Sequence, residues 1–569
     1  MKIKTAPLFF ALDSCPLRRL APIPLVLAFA SIFFAAKSSA APAVPPAGGE
    51  TVMMPDFVIS EDREKTKWRY IGHRDFEILS NSDSMAQAFA NELPVVLKVA
   101  DLLVPLRVRL RLNTPMMVVL EERYPRADLL LNKVTPAHLG SSAAYFQQFG
   151  DQDSFVGCLS KTIRQAGVIY PNNDNHVGRL GCNLFVVRML STAGLKPPGW
   201  LLTSVATAFD ALDVRVAQNE LRTNAWRLGG ETRIPSLIPL QQAIQNLETP
   251  VRSSPALMRD YQLAQNTGRI LVQWALLAED GKYRERFWEF YVRSTSTAHP
   301  DEALFRECMQ LSYAEALGSM ETFYAKMRNG LSLNLKKTFA ISFPSPAAPI
   351  RDATPAEIAR ITGEFSRMAA APGSVKSQTT SQFLAAAGKI FERGLGQTTP
   401  PDPKLSASAG IFLAQLGRDT AALPYLEQAT IAGVARPHAY LELARIRLAT
   451  ARAQPGSATG KLSAEQHRAV LEPLNQAYAQ STQQEQYYEL LESLWENASV
   501  KPELADLAPL RELPKIFPRA SALILRVAQL HAAHGFNAEA RALCTSGLVF
   551  ASDETTLVAL TSLNQGLIP

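Results

Sequence analysis

The sequence predicts a mainly α protein in two parts: an α+β N-terminal half, then an all-helical repeat half. Three observations carry this. Short β-rich runs appear only in the early part of the chain. Helical periodicity dominates from Leu180 onward. Beyond Pro344–Pro349 the composition turns to Ala, Leu, Gln and Arg broken by single Gly and Pro residues, as in helix pairs joined by tight turns.

In chain order, residues 1–40 have the layout of a secretory signal. Lys2, Lys4, Arg18 and Arg19 precede an apolar run from Leu20 to Ala36, and Ser38, Ser39 and Ala40 supply a small-residue end. The apolar run is shorter than the roughly 20 residues that span a bilayer comfortably. The expectation is therefore export to a periplasmic or extracellular space with cleavage before Ala41, an uncleaved anchor being the second reading. No later stretch approaches spanning length, so no stable membrane span is expected after cleavage. Five of the 58 basic residues and one of the 52 acidic residues lie in this signal, so the formal charge of +6 falls to +2 without it. That is no electrostatic footprint for nucleic acid.

Residues 41–66 open with APAVPPAGGE, a low-complexity tether. Residues 67–343 form the expected α+β domain. Phe76–Leu79 reads as a strand, and Asp83–Leu103 as a helix with Met85, Phe89, Leu93, Val96 and Val99 near one face. Pro115–Leu120, Ser154–Leu159 and Gly167–Tyr170 read as further strands, with a turn at Pro171–Asn175. From Leu180 to Met327 the pattern is largely helical. Residues 344–353 read as a linker between two independent cores, and 354–569 as the helical domain. Thr354-Pro355-Ala356-Glu357 is a good helix start: Thr caps, Pro suits the first turn, and Glu reaches back to the cap amide.

Within 354–569, two segments resemble tetratricopeptide repeats, helix pairs about 34 residues long. Gly410, Leu413, Gly417, Ala422, Leu426 and Ala429 fall at motif spacing, as do Ala528, His531, Gly535, Ala540, Cys544 and Gly547. The turn glycines Gly417 and Gly535 are not a whole number of 34-residue repeats apart, so an insertion is expected between them, at Gln454–Gly460. Tyr440, Leu443 and Ala444 before it, with Val470, Leu474 and Ala477 after it, read as one interrupted repeat. A solenoid of this kind implies a protein or peptide partner on an extended groove.

The stretch Asn183–Asp210, NLFVVRMLSTAGLKPPGWLLTSVATAFD, resembles the active-site segment of gluzincin zinc peptidases. In that family a helix carries H-E-x-x-H, and a second helix opening P-x-W-L-x-E supplies the third zinc ligand. Pro198-Gly199-Trp200-Leu201 matches the second opening. Trp68–Ser84 and Gln262–Arg293, the latter with a D-G-K-Y-R turn, look like flanking parts of the same domain. Two His at i and i+4 share a helix face and hold one ion, with Glu as general base. Here the first-His position is Asn183, the Glu position Leu184, the second-His position Val187 and the third-ligand position Thr203. The resemblance thus implies a degenerate peptidase-like domain with a vestigial site: no catalytic residue, no metal and no cofactor.

Other chemistry is equally sparse. The chain has no G-x-S-x-G elbow, no phosphate-binding G-x-x-x-x-G-K-S/T loop and no G-x-G-x-x-G fingerprint. Its eight His are scattered. His176 in NNDNHVG reads as a solvated turn residue, and His531 with His534 as one packed and one exposed side chain. Cys158 and Cys182 leave two readings open, a bridge or isolated buried thiols. Acidic and basic residues on the helices read as solvated faces. The functional expectation is an exported, non-catalytic interaction scaffold. An envelope hydrolase with an unrecognised site and a structural envelope component are the alternatives.

Overall fold

A computed structural model of the chain describes residues 67–108, 114–122, 143–146, 154–159, 162–165, 168–171, 190, 197–210, 212–215, 220–223, 236–248, 255–295, 301–328, 332–334, 349–370, 377–397, 399–433, 436–454, 461–481, 484–551 and 553–567. The signal and tether expected at 1–66 lie outside them, as does the turn after Pro171.

The N-terminal half is built on a mixed sheet. Its strands are β1 (Arg69–Gly72), β2 (Phe76–Ser80), β3 (Met116–Glu122), β4 (Ala143–Phe146) and β5 (Ser154–Leu159), joined by a short late strand at Arg351–Asp352. The spatial order places Arg351–Asp352 beside β1, then β2, β3, β5 and β4. β2, β3 and β5 run parallel, and the outer pairings are antiparallel. A parallel centre implies cover on both faces, and the continuous apolar run MMVVL in β3 fits that. On one face Phe76, Ile78, Met116, Val118 and Leu120 pack with α1 (Asp83–Leu103) and the helices beyond it. Sequence reading placed α1, β2, β3 and β5 to within two residues at each end, and gave no strand at β4.

The strand expected at Gly167–Tyr170 is present at Val168–Pro171, and among the described residues the largely helical reading from Leu180 to Met327 needs correction only for a small sheet. β6 (Thr162–Gln165) and β7 (Val168–Pro171) form one antiparallel hairpin. After α2 (Gly199–Asp210), β8 (Leu212–Arg215) and β9 (Glu220–Thr223) form another, extended by β10 (Ser332–Asn334). LDVR alternates apolar and polar residues but over only four positions, and ELRT does not alternate. The helices here are α3 (Leu240–Glu248), α4 (Pro255–Leu277), α5 (Arg284–Ser294), α6 (Glu302–Met309) and α7 (Tyr313–Arg328). The D-G-K-Y-R turn lies between α4 and α5. Glu279, Asp280 and Gly281 are all left-handed there, and Arg284 donates back to the Leu276 carbonyl, capping α4.

The expected linker is, in its described part, structure. Arg351–Asp352, now β11, pairs with Tyr70 and Arg69. α8 (Pro355–Ala369) follows with the predicted Thr354–Glu357 capping box in place. Ile361, Phe365 and Met368 of α8 then cover the second face of the sheet, against Tyr70, Leu79, Met117 and Val119. The two halves share a core, contrary to the expectation of two independent ones.

The helical half continues as pairs. α8 pairs with α9 (Ser377–Gly396), α10 (Pro403–Gln415) with α11 (Asp419–Ile431), and α12 (Pro437–Ala453) with α13 (Ala464–Gln480). α14 (Glu485–Glu496) is followed only by single turns at Ala508–Arg511 and Leu513–Ile516. α15 (Ser521–Ala533) pairs with α16 (Asn537–Leu548), and α17 (Glu554–Gly566) closes the series. The first helices stack on one another from α8 through α10, α12, α14 and α15 to α17, and each second helix wedges against the next first helix. That is a two-layer solenoid.

The repeat residues sit where the spacing put them. Gly417 and Gly535 are left-handed turn residues. Ala422, Leu426, Ala528, Ala540 and Cys544 are fully buried, and so are Tyr440, Leu443, Ala444, Val470, Leu474 and Ala477 of the interrupted repeat. First helices begin at Pro403, Pro437, Glu485 and Ser521, 34, 48 and 36 residues apart. The excess expected between the turn glycines therefore falls mainly in the α12–α13 pair, whose connection contains Gln454–Gly460.

Candidate functional site: a buried ladder of ion pairs

Of the vestigial positions, Asn183, Leu184 and Val187 lie outside the described residues, as do His138, His176, His299 and Cys182. Thr203 lies on α2, half-buried, its carbonyl accepting the Thr207 hydroxyl at 2.9 Å. α2 is an interior helix: Trp200, Leu201 and Val205 join the main core, and Ser204 returns its hydroxyl to the Trp200 carbonyl at 2.7 Å. Gln273 of α4 donates to the Ala208 carbonyl at 3.0 Å. Cys158 is on β5 opposite Glu121, while Cys308 and Cys544 are free and buried. His531 is fully buried and His534 half-buried, three residues apart on and just after α15. Among the described residues no group of three or more His, Cys, Asp or Glu converges as a metal site, and no helix is long and apolar enough to cross a membrane.

What converges instead is charge. β2 presents Glu77 to α8, where the Arg360 guanidinium meets it through two contacts at 2.9 Å. Tyr70 donates its hydroxyl to the same carboxylate at 2.8 Å, and Lys404 at the start of α10 reaches it at 3.2 Å. Both Glu77 and Arg360 are within a few per cent of full burial. Burial alone raises a carboxyl pKa. Here Arg360 and Lys404 outweigh it and hold Glu77 at about 2. The Tyr70 phenol is pushed up, by burial first and by Glu77 second.

One turn along α8, Glu364 is completely buried. Arg367 binds it at 2.7 and 2.9 Å, and Arg436, just before α12, at 2.9 Å. Arg436 also donates to the Ser408 hydroxyl of α10 at 2.6 Å, so three first helices meet at one carboxylate. Against the desolvation of burial, the two guanidiniums hold Glu364 at about 2. On α12, Glu442 accepts from Arg445 at 2.6 Å and from Gln486 of α14 at 3.2 Å. Arg445 also clamps Asp419 of α11 with bonds of 2.6 and 3.0 Å. On α14, Glu492 is met only at 3.3 Å by Arg526 of α15, and burial with Glu496 and Glu489 nearby lifts its pKa.

The ladder thus runs from the sheet through α8, α10 and α12 to α14 and α15, rung by rung along the stacked first helices. Sequence reading took these charges as solvated and missed them. A signal was present: Arg360, Glu364 and Arg367 recur at helical spacing directly beside Ile361, Phe365 and Met368, on a helix with a glycine at its centre. An alternating-charge stripe adjoining an apolar stripe on so small a helix is the mark of burial on all sides.

No protein-family model matches the chain, and no curated protein is similar to it. Among solved structures, the chain is similar to a thermophilic TPR protein from Thermus thermophilus, with 17% identity, a TM-score of 0.26, and coverage of 35% of this chain and 98% of that one. With so low a score, the helix-pair architecture rests on this chain's own packing.

Proposed function

We propose that this protein is an exported, non-catalytic scaffold that holds a protein or peptide partner on its helical array. The stacking of first helices over more than a hundred residues is the observation that carries the reading, because such a layer offers a long surface on a rigid backbone. The sheet engages α8, so the surface open to a partner is that of α10 to α17. The ion-pair ladder fixes the register of these helices rather than reacting. Its carboxylates Glu77, Glu364 and Glu442 are each matched by close cations.

The peptidase-like resemblance favours a second surface. β4, with the uncharged sequence AAYF, is the antiparallel edge strand of the mixed sheet among the described residues, and such an edge pairs readily with an extended peptide. In this reading the domain has kept substrate holding and lost hydrolysis.

Photo-crosslinking with the full chain in its producing cell separates these readings. A scaffold gives crosslinks from exposed positions on α10 to α17. Crosslinks confined to β4 move the function to the sheet edge, and peptide hydrolysis by the purified chain defeats both. The mature chain is expected to begin near Ala41 and to carry far less than one zinc per molecule, with a melting temperature unmoved by chelator. Stoichiometric zinc that survives dialysis overturns the non-catalytic reading.

A further inference from the structure

The array loses its regularity in one place. After α14, where a second helix belongs, Pro502, Pro509, Pro514 and Pro518 interrupt the chain and leave only two single turns. Each proline removes an amide donor and clashes with the preceding turn, so no continuous helix forms. The segment is held by Leu507, Leu510 and Leu513 in the core. Backbone bonds tie its start to the residues before α13, from Leu462 to the Asn497 carbonyl at 2.7 Å and from Ser499 to the Leu462 carbonyl at 3.1 Å. Lys461 adds a bond to the Glu496 carbonyl at 2.6 Å.

Three imidazoles border this segment. His467 of α13 is buried, its ring lying 4.2 Å from that of Trp495, and neither its Nε2 nor the Trp495 indole nitrogen has a hydrogen-bond partner. His531 of α15 is fully buried. Its Nδ1 lies 2.8 Å from the Val527 carbonyl and donates to it, which leaves Nε2 as a bare acceptor in an apolar core. His534 follows one turn later, with Lys501 of the segment and Lys461 close enough to oppose its protonation.

We propose that the proline-broken segment 497–520 is an acid-released joint, in which protonation of His467, His531 and His534 frees it from α13 and α15 and opens the array between α14 and α15. A proton on Nε2 of either His467 or His531 would point a donor into the core with no acceptor to meet it. Burial holds all three imidazoles below their ordinary range. Asp506 favours the charged form at His467, as do the Val527 carbonyl and Glu539 at His531, but Arg511 and His534 oppose it at His531. Glu492 works in the opposite sense, since its raised pKa lets the closed form take up a proton. The closed state therefore binds fewer imidazole protons than the open one. Closure is fully present above the ordinary histidine range and weakens as pH falls through about 6.5. Each proton taken up on opening shifts the equilibrium about tenfold per pH unit. The Glu364 carboxylate of α8, held at about 2, does not titrate in this window.

Hydrogen exchange on the full chain at pH 7.5 and 5.5, corrected for intrinsic rates, tests this. Peptides covering 497–520 should lose protection at least tenfold at the lower pH while α8, α10 and α12 keep theirs. In a His467→Phe, His531→Leu, His534→Gln variant that difference should vanish. Unchanged protection, an equal loss in the variant, or a uniform loss along the array overturns the joint. If the triple variant does not fold, titration of the wild-type imidazole resonances decides instead. Proton uptake that tracks the loss of protection supports the proposal; imidazoles that stay neutral to pH 5.5, or protonate with protection intact, defeat it.

Discussion

At the scale of single residues, the informative positions are charged groups that the chain has taken out of water. Glu77 accepts from Arg360 and Tyr70 with almost no exposed surface. A buried pair adds little over an apolar pair of the same shape, but losing one partner strands the other charge. Glu77→Gln should therefore cost on the order of 3–5 kcal/mol in chemical denaturation, and adding Arg360→Met should recover most of it. With the folded carboxyl near 2, well below its ordinary value, its stabilisation is present above the ordinary carboxylate range and fades as pH falls from there toward 2. Glu364 loses its contribution over the same interval. An acid titration of the melting temperature in the wild type and in Glu77→Gln measures this, and parallel curves refute it. In the sequence only the α8 charges left a sign, their stripe beside Ile361, Phe365 and Met368, while the partners Glu77 and Arg436 gave no local hint of what packs over them.

Elements were read better where one face decides the structure. α1 was legible because its apolar residues recur at helical spacing, and the α10–α11 pair because close approach demands small residues at set places. Gly410 shows why. A Cβ there would stand 2.8 Å from Leu426 Cγ and Cδ2 and 3.2 Å from the Leu426 amide. Gly417 differs: it has open space but a φ of +71°. Gly410→Ala should destabilise by ~1–3 kcal/mol through overpacking, and Gly417→Ala by ~1–2 kcal/mol through backbone strain alone. Adding Leu426→Ala should offset part of the first loss and none of the second, as read by urea midpoints. Equal behaviour of the two double variants would remove the packing argument for this helix pair. The β8–β9 hairpin was missed for the opposite reason, since four residues are too few for an alternation such as LDVR to stand out.

Over the whole molecule, the decisive fact is that one sheet has two apolar faces and the chain supplies their covers from both its halves. The run MMVVL is buried on both faces, but in the sequence it read only as a strand, and a proline-rich stretch at 344–349 drew the reading to two separate cores. What the linear reading lacked was the identity of the second cover, which lies about 240 residues later in α8. A second tie exists farther along, where Arg519, before α15, donates to the Thr295 carbonyl at the end of α5. A chain ending at residue 350 should therefore expose Tyr70, Leu79, Met117 and Val119. It should bind a hydrophobic dye and aggregate rather than unfold cooperatively. The complementary piece from Arg351 should expose Ile361, Phe365 and Met368 and leave Arg360 without Glu77, so it too should melt below the intact chain. Mixed during refolding, the two pieces should restore a single transition near the intact one, with dye binding lost. If instead the first piece alone is monomeric, dye-free and cooperative, the face seen by α8 is not a core, and the helical array is an appendage free to move on its own.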